Sequence, residues 1–271
     1  MWSELSLARF GLAFGLSFLV AGAGWQLKAL SSSGAVAAFL LGGVVFGVGG
    51  WGAATVLLTF FVTSSLLSRA FALRKKSLNN VVLKGSRRDA WQVFANGGFG
   101  ALCLLAGLVF PHALFPFLAF CGSLAAANAD TWATELGVLS NQPPRLLING
   151  KVVRRGASGG VTWLGLVASL LGAVLIGGVA AILVRQVGLT LLAVSLGGML
   201  GSLLDSVLGA SWQAVYFCPR CQMETERHPL HSCGETTHFL RGIAWLNNDG
   251  VNFACTVCGG LVAALATFLI G

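Results

Sequence analysis

The sequence predicts an all-α polytopic integral membrane protein, a helical bundle of about seven or eight transmembrane helices with one small cytoplasmic Cys/His loop. Three observations predict it. Of the 271 residues, 56% are hydrophobic and 10% are charged, whereas a soluble domain carries about 25% charge, so these charges could not cover a soluble globule. Apolar stretches of about 16–24 residues recur along the chain, near the roughly 20 that a helix needs to cross a bilayer. The basic residues gather in alternate loops between those stretches. The 37 glycines show no period of three, and Leu, Val, Ala and Phe are too abundant for a disordered chain.

Eight spans are expected, at about 5–24, 33–49, 51–69, 90–110, 112–129, 159–184, 188–210 and 250–270. The first lacks a basic start and a small-residue cleavage site, so it reads as a helix and not as a removable signal. The second and third meet at Gly49-Gly50-Trp51-Gly52, a tight turn or the break in one long helix. Little more than Pro111 and His112 separates the fourth from the fifth. The whole chain, 1–271, forms one membrane domain, with 212–246 inserted as a cytoplasmic loop.

Every Lys and Arg except Arg9 and Arg185 lies in the loops after spans one, three, five and seven. Short cytoplasmic loops carry the Lys/Arg excess, which places these four loops in the cytoplasm, the termini opposite and the protein in the plasma (inner) membrane. The net charge of +8 therefore points to topology and anionic ligands and not to nucleic acid.

Four acids, Asp130, Glu135, Asp205 and Asp249, sit in or beside apolar runs at the ends facing those basic loops. Acids at membrane depth are expensive, and a set at one depth suggests a cation site, most simply Mg²⁺ shared with phosphate oxygens. Asp130 and Glu135 are five residues apart, about 140° round a helix, and would line one cleft only if the helix ends or bends near Thr131. A helix cap at Asp130 or Thr131 is the plainer alternative. Gly201, Asp205 and Gly209 repeat every four residues, a stripe on which another backbone can come close. Asn247-Asn248-Asp249-Gly250-Val251-Asn252 would complete an ion or phosphate site, or serve only as a turn and cap.

Phosphate ligands are expected on the same side. Arg154 and Arg155 precede a glycine-rich turn with Ser158 and Gly159, whose backbone N–H groups would face an anion. In the basic loop before span four, Arg69, Arg87 and Arg88 lie nearest the membrane, and Asn96 follows within the span.

Cys218-Pro219-Arg220-Cys221 with His231 and Cys233 offers three thiolates and an imidazole for a structural Zn²⁺, with His228 and His238 as rival fourth ligands. Cys255 and Cys258 form a second C-x₂-C but fall inside the last span.

Several of these segments together carry a resemblance. Arg87 to Gly98, Ala129 to Gly137, Gly156 to Val161, Gly201 to Ala210 and Asn247 to Asn252 resemble, in the same order, the polytopic family that contains transmembrane protein 19 and the plant phytyl-phosphate kinase. The Cys/His loop departs from the animal branch. The resemblance implies transfer of the γ-phosphoryl group of a nucleoside triphosphate, CTP or ATP, to an isoprenoid monophosphate. It carries over Asn96, Asp130, Glu135, Ser158, Asp205, Asn248, Asp249 and Asn252 as site residues. A CTP-dependent lipid nucleotidyltransferase would use similar acids, although the D-G-x₂-A-R signature of CDP-alcohol transferases is missing. A cation-coupled transporter would place its acids near mid-bilayer.

Overall fold

The computed structural model describes residues 6–70 and 87–268. Arg74, Lys75, Lys76 and Lys84 of the basic loop lie outside the described residues. Seven helices are described: α1 (Leu7–Gln26), α2 (Ser32–Ala70), α3 (Ala90–Ala106), α4 (Phe115–Gly137), α5 (Trp163–Val184), α6 (Val187–Ser211) and α7 (Asn248–Phe268).

The expected turn between the second and third spans is a sharp break within α2. Gly50 has φ 65° and ψ −160°, a conformation open to glycine, and it divides the helix into two arms. The arms run antiparallel. Phe61 of the second arm meets Gly24 near the end of α1, while Gly34 of the first arm abuts the carbonyl of Arg88, and Arg88 in turn bonds Ser65 of the second arm. At the opposite end Arg9 donates to the carbonyl of Val48 (3.0 Å), beside the break. Counting the two arms of α2 separately, the described chain has eight helical segments, with every described basic residue except Arg9 and Arg185 at one end; five of the seven helices are long and apolar enough to cross a membrane.

Helix α4 is the hub. Its residues from Pro116 to Ala129 are buried on every side, which its run of Ala, Gly, Ser and Phe allows, and α2, α3, α5, α6 and α7 all pack on it. Small residues set the spacing: a Cβ on Gly201 would lie 2.6 Å from Ala126 Cβ and 2.7 Å from the Cys255 carbonyl oxygen. Gly259 of α7 is pressed in the same way against Ala126 and Gly122 of α4. Without a hydrophobic drive between helices in lipid, such close backbone approach is what van der Waals association requires. The buried amide of Asn128 ties the hub to its neighbours, donating to the Gly172 carbonyl (2.8 Å) and accepting from Thr63 (3.2 Å).

Two small sheets are added to the helical class. Strands β1 (Arg145–Leu146) and β2 (Gly160–Val161) pair antiparallel across the loop between α4 and α5. Strands β3 (Val215–Cys218), β4 (Met223–Thr225) and β5 (His238–Arg241) form an antiparallel sheet of order β4-β3-β5 between α6 and α7.

Candidate active site

A polar cavity of about 530 Å³ opens at the basic end of the bundle. It is lined by Arg88, Asn96, Asp130, Glu135, Arg155, Ser158, Gly159, Asp205, Asn248 and Asn252, residues that the sequence singles out from five separate segments. Arg69, Arg87, Arg154 and Asp249 do not line it.

Asp130 and Glu135 both reach the cavity from an unbroken α4, so no bend near Thr131 is needed. The cavity instead wraps round the end of the helix. On one flank, Ser68 of α2 donates to Glu135 Oε1 (2.9 Å), and the charge of Glu135 acts on Arg88. On the other flank stands Asp205 of α6, reached by the charges of Asp130 and Glu226. Thr131 does not cap the helix; its hydroxyl bonds the Ala127 carbonyl (2.8 Å).

Arg88 is held by its backbone before its side chain is used. Its amide donates to the Ala29 carbonyl (3.0 Å), and its carbonyl accepts from Ser31 (2.9 Å). The next residue, Asp89, caps α3 in a reciprocal box with Gln92. The guanidinium donates to Ser65 Oγ (3.2 Å) and sits 5.5 Å over the Phe60 ring. Burial lowers its pKa to about 10 against the opposing effect of Glu135, so it remains a cation at neutral pH.

The glycine-rich loop reaches α6 through Gly159, whose φ is 76°. A Cβ there would collide with the backbone of Ser206 and Ala210. The loop does not open α5 directly, because Gly160 and Val161 form β2 and Thr162 caps the helix by accepting from Gly165 (3.1 Å). Arg155 is fixed by donation to the Asn141 carbonyl (3.1 Å). At the start of α7, Asn247 Oδ1 accepts from the Gly250 amide (3.0 Å), leaving Asn248 and Asn252, one turn apart, on the cavity.

Three buried polar atoms on this lining have no hydrogen-bond partner among the described residues: Asp205 Oδ2, Ser169 Oγ and Gln213 Nε2. Buried polar groups are normally paired, so these three atoms are open to water or to a polar ligand in the cavity. Its donor set of carboxylate, hydroxyl and amide oxygens suits a hard divalent cation, and its arginines suit phosphate.

Gln92, Ser68, Ser169, Gln213 and Glu226 also line the cavity, and sequence reasoning does not select them. Glu226 comes from the Cys/His loop, which therefore leans over the site. In that loop the ligand atoms of Cys218, Cys221, His231 and Cys233 all lie within 4.8 Å of one another, the spacing of a metal centre. His231 Nδ1 lies 3.2 Å from Cys233 Sγ and holds that thiol down to about 6, while the bond with Cys233 pushes Cys221 up to about 11. Of the rivals, His228 stacks on Tyr216 at 4.3 Å and His238 lies in β5. Cys255 and Cys258 are within α7, as expected.

A polytopic bundle with a carboxylate- and arginine-lined cavity at one end of its helices is the architecture of an integral membrane protein. The chain belongs to the integral membrane family DUF92, which it matches over residues 15–260 and whose resemblance its motifs carry. It is 32% identical to Protein PGR of Arabidopsis thaliana, over 94% of this chain and 95% of the relative. An uncharacterized membrane protein of Methanocaldococcus jannaschii is 30% identical over 88% and 86% of the two chains, and Protein VTE6, chloroplastic, of Arabidopsis thaliana is 25% identical over 94% and 70%. No solved structure matches the chain significantly.

Proposed function

We propose that this protein is a membrane kinase that moves the γ-phosphoryl group of a nucleoside triphosphate, CTP or ATP, onto an isoprenoid monophosphate at the cytoplasmic face. The observation that carries this reading is the convergence of Asp130, Asp205, Arg88 and Arg155 on one cavity at the basic end of the spans. A lipid phosphate and a soluble nucleotide can both reach such a place. The family resemblance of the motifs supports the same chemistry.

The central difficulty is repulsion between two phosphates. The fit of the oxygen donor set supports Mg²⁺ held by Asp130 and Asp205, with Glu135 as a further candidate and Asp249, which lies off the cavity, set aside; when bound it offsets the charge that builds up between donor and acceptor. Arg155 and the amides around Ser158 and Gly159 bind the donor phosphates, and Arg88 with Asn96 binds the acceptor. An acceptor oxygen attacks the γ-phosphorus, the bond from that phosphorus to the β–γ bridging oxygen breaks, and nucleoside diphosphate leaves. A phosphate monoester has a second pKa of about 6, so the acceptor is largely a dianion at neutral pH and no side chain has to remove a proton.

The Cys218, Cys221, His231 and Cys233 cluster is read as a structural Zn²⁺ site, because four protein ligands leave no open position. The assay that tests the kinase uses purified protein, labelled nucleotide and a panel of prenyl monophosphates separated by thin-layer chromatography. Prenyl diphosphate with nucleoside diphosphate is expected. Pyrophosphate release with a CDP-lipid would identify a nucleotidyltransferase instead.

A further inference from the structure

A second cavity, of about 130 Å³, runs beside the polar one between α1 and the two arms of α2. Its walls are apolar, with Leu16 and Val20 from α1, Leu41, Ala54 and Leu57 from α2, and Val93 from α3. The hydroxyl of Ser17, which also borders it, is turned to the Phe39 carbonyl (2.8 Å). Helix α1 packs chiefly on α2, so this groove lies at the edge of the bundle, and Val20 and Leu58 on its lining are exposed to the lipid side. Two residues, Arg88 and Asn96, line both the groove and the polar cavity.

We infer that this groove holds the isoprenoid tail of a prenyl monophosphate, with the phosphate passing Arg88 and Asn96 into the polar cavity. The inference rests on the kinase reading and adds to it the tail's path and the residues that select its length. The two cavities have the polarity of the two halves of such a lipid, and a half-buried cation stands at their junction. The groove is one channel between three helical segments and suits a single flexible chain better than the paired tails of a phospholipid. Small residues, Ala38 and Ala54, form part of its wall.

The test uses the full-length protein in nanodiscs and a farnesyl monophosphate bearing a diazirine at the far end of its chain. Labelling mapped by mass spectrometry is expected on α1 and α2 along the groove. Unlabelled farnesyl monophosphate should compete, farnesol and phosphatidic acid far less, and Arg88→Gln should weaken labelling about tenfold or more, as expected for loss of a charge-assisted phosphate contact. Ala54→Phe, which narrows the groove while leaving Arg88 in place, should weaken binding of geranylgeranyl monophosphate while sparing geranyl monophosphate. Labels confined to α5–α7, or equal competition by phosphatidic acid, would overturn the inference even if the protein transfers phosphate. Groove labelling without phosphotransfer from any nucleotide would overturn the kinase reading and leave the prenyl-phosphate site standing.

Discussion

A Cβ on Gly209 would stand 2.9 Å from the amide nitrogen of Gly159, so the glycine loop rests directly on the backbone of α6, one turn beyond Asp205. The stripe Gly201, Asp205, Gly209 thus does two jobs. Gly201 admits α4 and α7, and Gly209 admits the loop, so the loop and Asp205 line the same cavity. Replacing Gly209 with Val should lift the loop. Overpacking of this kind costs about 1–3 kcal/mol, so the variant should still insert and elute as a single species while turnover falls at least tenfold, with a raised KM for nucleotide. Nucleotide-dependent protection of the 154–160 loop from hydrogen exchange is the direct check.

Asp130 and Asp205 come from different helices and share one cavity. Asp130→Asn and Asp205→Asn keep the shape of each side chain and remove its charge. Each should lower kcat by about 10²–10³-fold, in the range seen when one electrostatic contributor to a transition state is lost. Unchanged thermal unfolding in detergent would show that the fold survives. Normal turnover in both variants would remove the cation site.

Five of the helices were legible in the sequence because each is long and apolar, and the break at Gly50 because four residues in a row, Gly49-Gly50-Trp51-Gly52, are three-quarters glycine. The acids were legible because a charge at membrane depth needs a reason. The short strands β3, β4 and β5 were not: three or four residues between metal-type ligands show no period that reads as a strand. Gln92, Ser68 and Gln213 are ordinary polar residues locally, and only the approach of distant helices turns them onto the cavity. Glu226 looks like a solvated loop acid until the sheet carries it to Asp205.

Ser68, Glu135 and Arg88 form a chain from α2 through α4 to the start of α3. Glu135 is only 9% exposed, so a change that leaves its partners unmatched should be felt in stability. Both Glu135→Gln and Glu135→Leu remove the charge beside Arg88, but Glu135→Gln retains an acceptor for Ser68 and should lower the thermal midpoint less. Glu135→Leu also leaves the Ser68 hydroxyl without that acceptor, and an unsatisfied buried donor costs about 1–3 kcal/mol. A ligand-free melting series in detergent separates the two variants, and equal midpoints would show that the Ser68 bond carries no stability.

The metal-type cluster can be tested without turnover. Cys218 and Cys221 sit at the β3–β4 turn, and His231 and Cys233 on the return toward β5. Four ligands on so short a sheet would clip it closed, and unligated thiols would leave that work to hydrogen bonds such as Cys218 Sγ to Cys233 Sγ at 3.6 Å. The purified protein should carry one zinc per chain by elemental analysis. Cys221→Ser and Cys233→Ser should lose it, while Cys258→Ser, on α7, should keep it. Because the same sheet presents Glu226 to the cavity, stripping the metal with a chelator should raise KM for the nucleotide more than it lowers kcat, and restoring zinc should reverse the change. A protein that is fully active and equally protease-resistant without zinc would leave the cluster as thiols alone.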